Sequence, residues 1–158
     1  MRTSLAIVLG AILGAAPAGA QLPVEPHANP QTLLESPDPA LAANKKLVFD
    51  FWRTVLQAHH VDRAAEFLAE DYAEHNPDVA TGRAAFVEFF GQLPREPVKP
   101  IIDDLVSIVA ERDLVMLAFR RELPDLANEG QTYTTTWFDL FRVADGKIVE
   151  HWDHGTKE

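Results

Sequence analysis

The sequence predicts an α+β domain in which helices come first and an antiparallel meander follows, with the helices packed on one face of a single sheet. Three observations carry this. Apolar residues recur at helical spacing between Ala40 and Leu93. From Ile101 onward they fall instead in short runs rich in Val, Ile, Thr, Phe and Trp. Finally, Asp145-Gly146 stands between two alternating apolar runs, which is a strong local hairpin signal.

The first twenty residues, "MRTSLAIVLGAILGAAPAGA", stand apart from the fold. Arg2 opens them, an apolar run extends from Leu5 to Ala16, and the small residues Ala18-Gly19-Ala20 close them. This is the layout of a secretory signal peptide with cleavage after Ala20. The apolar run is shorter than the roughly 20 residues a bilayer crossing needs. With no cysteine in the chain, lipid attachment of the bacterial lipoprotein kind is excluded and stability must come from the core rather than disulfides. The expected destination is a bacterial periplasm or the medium, with no membrane attachment after cleavage. A formal net charge of −10 argues against nucleic acid and anionic lipid as partners.

Residues 21–39 contain five prolines and no sustained period, so they read as an extended lead-in outside the core, with His27 solvated. The domain occupies residues 40–158. An amphipathic helix over 40–58 follows from two neighbouring series, Leu47, Phe51, Val55 and Val48, Trp52, Leu56. Asp38 or Pro39 starts it, and His59 and His60 suit its C-terminal end as caps. A second helix is expected over 61–72, with Val61, Ala64, Ala65 and Leu68 inward. Pro77 then breaks the pattern at Asn76. Thr81 is placed to cap a third helix over 82–93, whose apolar side is Phe86, Phe89, Phe90 and Leu93. Strands follow at 101–111, 114–123, 131–143 and 147–154, the first two separated by Arg112-Asp113.

"EHNP", "GRAAF" and "FDLFRVADGKIVEHWD" together resemble the SnoaL-like polyketide cyclase family of the nuclear-transport-factor-2-like superfamily, over roughly residues 40–154. The resemblance implies a cystatin-like cone, in which a curved antiparallel sheet wraps against three helices around an internal cavity. It also implies small-molecule chemistry of the aldol, isomerase, dehydratase or epoxide-opening kinds, or binding without catalysis. It implies further that His75 and Asn76 line the cavity mouth, and that a homodimer forms through the sheet's outer face.

Hairpin register decides which side chains face that cavity. A three-residue loop Ala144-Asp145-Gly146 sets Asp139 opposite His151 and Trp137 opposite Asp153, with Ile148 and Trp152 on the other face. A two-residue turn sets Asp139 opposite Trp152. In either register His151 and Asp153 share a face. A carboxylate buried among aromatics gains proton affinity and can serve as a base beside a carbonyl, while a neighbouring donor holds the enolate oxygen. Asp153 or Asp139 is the candidate base, and His151, His75 or Asn76 the candidate donor. Trp52, Tyr72 and Trp137 are candidates to shape the pocket for a small apolar molecule. His75, His151 and Asp153 form an alternative metal set, yet no tight metal motif accompanies them, so neither metal nor cofactor is expected. Nothing resembles a serine nucleophile motif or a phosphate loop.

Overall fold

Asp38 starts the first helix. In the computed structural model, which describes residues 21–157, its carboxylate accepts from the Ala40 amide at 2.8 Å. Pro39 occupies the first helical position, where no amide hydrogen is needed. The predicted signal peptide lies outside the described residues. Helix α1 (Pro39–Phe51) buries Val48, Phe49 and Phe51, then widens into a π-helical turn at Trp52–Leu56. His59 and His60 do not cap it. Their rings instead hold the carbonyls of Pro94 at 2.7 Å and Glu96 at 2.9 Å, fastening the 94–96 loop.

The second predicted helix is cut short. A 3-10 turn at Val61–Arg63 leads into α2 (Ala64–Phe67), and the chain then extends as β1 (Leu68–Glu74). The inward series Val61, Ala64, Ala65, Leu68 fits a helix locally. Parallel pairing of β1 with the last strand overrides it, because the backbone groups of 68–74 bond across the sheet. A register shift between Leu68 and Ala73 removes the two-residue alternation that would mark a strand.

Helix α3 (Arg83–Phe90) is uncapped by any side chain. Thr81 serves the neighbouring strand instead, accepting from the Glu74 amide at 3.0 Å and donating to the Tyr72 carbonyl at 3.2 Å. Phe86 is buried, whereas Phe89, assigned above to the apolar side, is half exposed.

The sheet continues with β2 (Leu105–Glu111), β3 (Leu114–Pro124), β4 (Thr132–Ala144) and β5 (Lys147–Trp152), in the order β1-β5-β4-β3-β2. All neighbours are antiparallel except β1 and β5. The helices pack on its inner face. The lead-in is docked rather than free. Its 3-10 turn at Pro30–Leu34 rests Leu33 and Leu34 on the core, and the His27 amide donates to the Leu105 carbonyl at 2.7 Å. The His27 side chain is exposed, as expected.

The β4–β5 hairpin follows neither single register. Ala144 pairs with Lys147 across a two-residue Asp145-Gly146 turn in which both residues have positive φ, 49° and 72°. One strand step on, Val143 faces Ile148 but Arg142 faces Glu150, so Val149 is an extra residue without a partner. Beyond this bulge Phe141 pairs with His151 and Leu140 with Trp152. The bulge turns Ile148 and His151, three residues apart, toward the same interior. Ile148 is therefore core, not on the outer face with Trp152.

Candidate active site

A cavity of about 230 Å³ lies between the helices and the inner face of the sheet. Helix α1 and its π turn contribute Phe51, Trp52 and Leu56, while α3 contributes Phe86 and Phe90. Tyr72 and Glu74 come from β1, Arg121 from β3, Trp137, Asp139 and Phe141 from β4, and His151 from β5. Trp52 is fixed by stacking on Phe119, with ring centres 4.3 Å apart. A second hollow, under Met116, Phe138, Leu140 and Trp152 on the outer sheet face, contains neither His151 nor Asp139.

At one wall three charged groups stand in a row. Glu74 Oε1 lies 2.9 Å from His151 Nδ1, and His151 Nε2 lies 2.9 Å from Asp139 Oδ1. Their side chains are 3%, 10% and 4% exposed, so this triad is dry enough for its electrostatics to matter. Burial opposes charge on His151, but the hydrogen bonds and charges of Asp139 and Glu74 outweigh it and raise the imidazole to about 9. At neutral pH both ring nitrogens thus carry protons and donate, one to each carboxylate.

The two carboxylates differ. Glu74 accepts from the His75 and Asn76 amides, each at 2.9 Å, from the Tyr72 hydroxyl at 2.7 Å and from His151. Burial would raise its pKa, yet His151, the Asn76 amide and Tyr72 together hold it below the usual range. Asp139 is raised by burial, offset only in part by His151, and Oδ2 has no hydrogen-bond partner among the described residues. The neighbouring Trp137 indole favours its charged form slightly without reaching hydrogen-bond geometry. Glu74 is a settled anion, and Asp139 is a proton-hungry one with a free oxygen.

Five residues singled out from the sequence meet at this cavity: Trp52, Tyr72, Trp137, Asp139 and His151. Asp153 sits just past the strand end, where its Oδ2 accepts from Asn76 Nδ2 at 2.7 Å and its Oδ1 from the Gly155 amide at 2.8 Å. A Cβ on Gly155 would come within 2.5 Å of Asn76 Nδ2, so this clasp closes tightly. Asn76 is spent on the clasp and, through Oδ1, on the Asp78 amide. His75 turns to the outer surface, stacked on Trp152 and bonded to Glu150 at 2.9 Å, away from the cavity. Glu74 and Arg121 escaped sequence reasoning. Glu74 falls just past the predicted 61–72 helix, in the stretch that reads as a break before Pro77, and Arg121 lies in a run whose facing depends on register.

The metal set proposed from sequence does not assemble, because His75 is on the other side. Asp139, His151 and Asp153 do present ligand atoms within 4.8 Å of one another. Both His151 nitrogens are already committed to carboxylates, and a metal would have to displace a proton held with a raised pKa. Protein purified without chelator should carry well under one metal per chain by elemental analysis. Stoichiometric zinc lost in Asp139→Ala would contradict this.

A curved five-stranded sheet wrapped on helices around a cavity with an acid–base wall defines a small-molecule pocket protein of the cystatin-like, nuclear-transport-factor-2-like fold. The chain belongs to the SnoaL-like domain family, whose model matches residues 48–151. No curated protein matches it. Among solved structures it is similar to a candidate polyketide cyclase from Xanthomonas campestris pv. campestris, 26% identical with a TM-score of 0.50, over 70% of this chain and 88% of that one. A candidate SnoaL-like polyketide cyclase from Jannaschia sp. CCS1 is 17% identical with a TM-score of 0.52, over 76% and 91% of the two chains. A candidate polyketide cyclase from Acidithiobacillus ferrooxidans is 16% identical with a TM-score of 0.51, over 70% and 86%. The last two share the fold.

Proposed function

We propose that the protein is an exported acid–base catalyst acting on an apolar carbonyl compound held in the inner cavity. The observation that carries this is the unpaired Oδ2 of Asp139 on the cavity wall. A buried carboxylate with raised proton affinity is suited to take a proton from a carbon next to a carbonyl. The C–H bond breaks, its electron pair passes to the carbonyl oxygen as an enolate, and the proton resides on Oδ2. Returning it to a different carbon isomerises the compound, while attack of the enolate carbon on a second carbonyl closes a ring, re-forms the first carbonyl and leaves an alkoxide that takes the proton from Oδ2. His151 remains protonated throughout and holds Oδ1 in place, and Glu74 orients His151. Trp137, through its indole N–H, is the cavity-lining donor available to the enolate oxygen. Asp153, bound to Asn76 and Gly155, acts as a positioning residue at the strand end.

The test uses 2-acetonaphthone, an apolar methyl ketone, in deuterated water. Wild-type protein should deuterate its methyl group faster than buffer, and Asp139→Asn should not. Saturable binding without exchange would leave a ligand carrier and overturn the catalytic assignment.

Export is the second part of the proposal, supported by the layout of residues 1–20. N-terminal sequencing of protein recovered outside the cytoplasm should begin at Gln21. Full-length chain retaining Met1 in the cytosol would refute it.

A further inference from the structure

We propose that the ligand of the inner cavity is an acid, and that Arg121 at the cavity mouth holds its carboxylate. The inference rests on the small-molecule function proposed above and adds the charge and orientation of the ligand.

Every other arginine among the described residues has a local partner. Arg53 meets Asp50, Arg63 meets Glu66, Arg95 meets Asp62, and Arg112 meets Glu111. Arg120 pairs with Asp104 and Glu122, Arg142 with Asp113 and Glu150, and Arg83 donates to the Leu68 carbonyl. Arg121 alone makes neither an ion pair nor a side-chain hydrogen bond among the described residues. In a chain with 24 acidic residues and a net charge of −10, a guanidinium without a carboxylate is conspicuous.

Its position gives it a purpose. Arg121 lines the cavity, and its guanidinium carbon sits 5.2 Å from the centre of the Trp137 ring, another lining residue. The stack orients the planar group and leaves its N–H edge free for a two-point contact with a carboxylate. Arg121 and Trp137 also border a surface groove shared with Leu123, Thr135 and His154. The guanidinium thus stands where the interior meets the surface.

Charge fixes the direction of entry. Glu74 and Asp139 make the inner wall negative, so a carboxylate pushed inward would meet repulsion. Held at Arg121, the same carboxylate leaves the apolar body in the cavity with its carbonyl toward Asp139. The matching ligand class is an apolar keto acid whose two oxygen functions sit at opposite ends.

Quenching of protein tryptophan fluorescence, which Trp52 and Trp137 report from the cavity, tests this with 2-naphthoate and its near-isosteric neutral partner 2-acetonaphthone. Wild type should bind naphthoate about tenfold more tightly, the scale of one charge-assisted contact. Added salt should erode that preference. Arg121→Gln should bring naphthoate to the ketone's affinity while leaving the ketone unchanged, and Arg121→Lys should retain part of the preference. Equal binding of both probes by wild type would overturn the inference and leave the small-molecule function standing. Equal weakening of both probes in Arg121→Gln would also overturn it, since it would reduce Arg121 to a support for Trp137. If neither probe binds wild type saturably, the proposed cavity function fails and the inference with it.

Discussion

Asp139→Asn should lower carbonyl-dependent proton exchange by about 10² to 10⁴, the usual contribution of a positioned base, while costing far less stability than loss of its partner His151. Asparagine has nearly the same shape, and its amide oxygen can still accept from His151 Nε2. What it lacks is affinity for a proton. The wild-type rate should rise with pH as Asp139 ionises, and the midpoint should lie above that of an exposed aspartate because burial raises this carboxyl. Asp153→Asn is the control. Its carboxylate is tied to Asn76 and Gly155, so the rate should fall much less. A larger loss in Asp153→Asn than in Asp139→Asn would reassign the base to Asp153.

His151→Ala should be the most destabilising single change at the site, by about 3–5 kcal/mol, because it strands two buried carboxylates without their shared cation. Chemical denaturation of both proteins measures it. The pH dependence identifies the cause. His151 has a folded pKa of about 9 against a free value of 6.5. Its charge therefore contributes fully below about pH 6.5, and the contribution is lost as pH rises through about 9. The gap between wild type and variant should narrow over that interval. Glu74 runs the other way: its pKa is lowered on folding, so its share is present above the ordinary glutamate value of 4.5 and disappears on acidification. A gap independent of pH from 6 to 10 would mean that His151 stabilises by packing on Phe141, with which it stacks at 4.6 Å, rather than by charge.

Much of this molecule is legible in its sequence, and the failures share one cause. Helices α1 and α3, the meander β2 to β5, the Asp145-Gly146 turn and the common face of Trp137 and Asp139 are local matters, set by periodicity and turn chemistry. The β1 segment is not local. Residues 68–72 read as the end of a helix and 73–74 as a break, yet 68–74 form a strand because its partner lies far along the chain. Glu74, which anchors the triad, is invisible for that reason. The Val149 bulge is equally hidden, since one unpaired residue leaves no compositional mark, yet it places Ile148 and His151 on the same side. In sequence, His75 and His151 are both candidate donors. Only the fold separates an imidazole stacked on the outside from one enclosed between carboxylates.

The strand order has a consequence for the timing of assembly. The last of the five described strands in chain order, β5, enters between β1 and β4, and its His151 meets Glu74 across 77 residues. Until it arrives, β1 has no neighbour in the sheet and β4 has a bare edge, both open to mispairing with other chains. So distant a contact also closes slowly. A nascent chain halted at the Asp145-Gly146 turn would therefore hold helices, a three-stranded sheet and most of its aromatic residues, but no triad. Pairing of β5 both joins the two parts of the sheet and assembles the Glu74–His151–Asp139 triad, so protein that has not finished folding lacks this wall of the cavity.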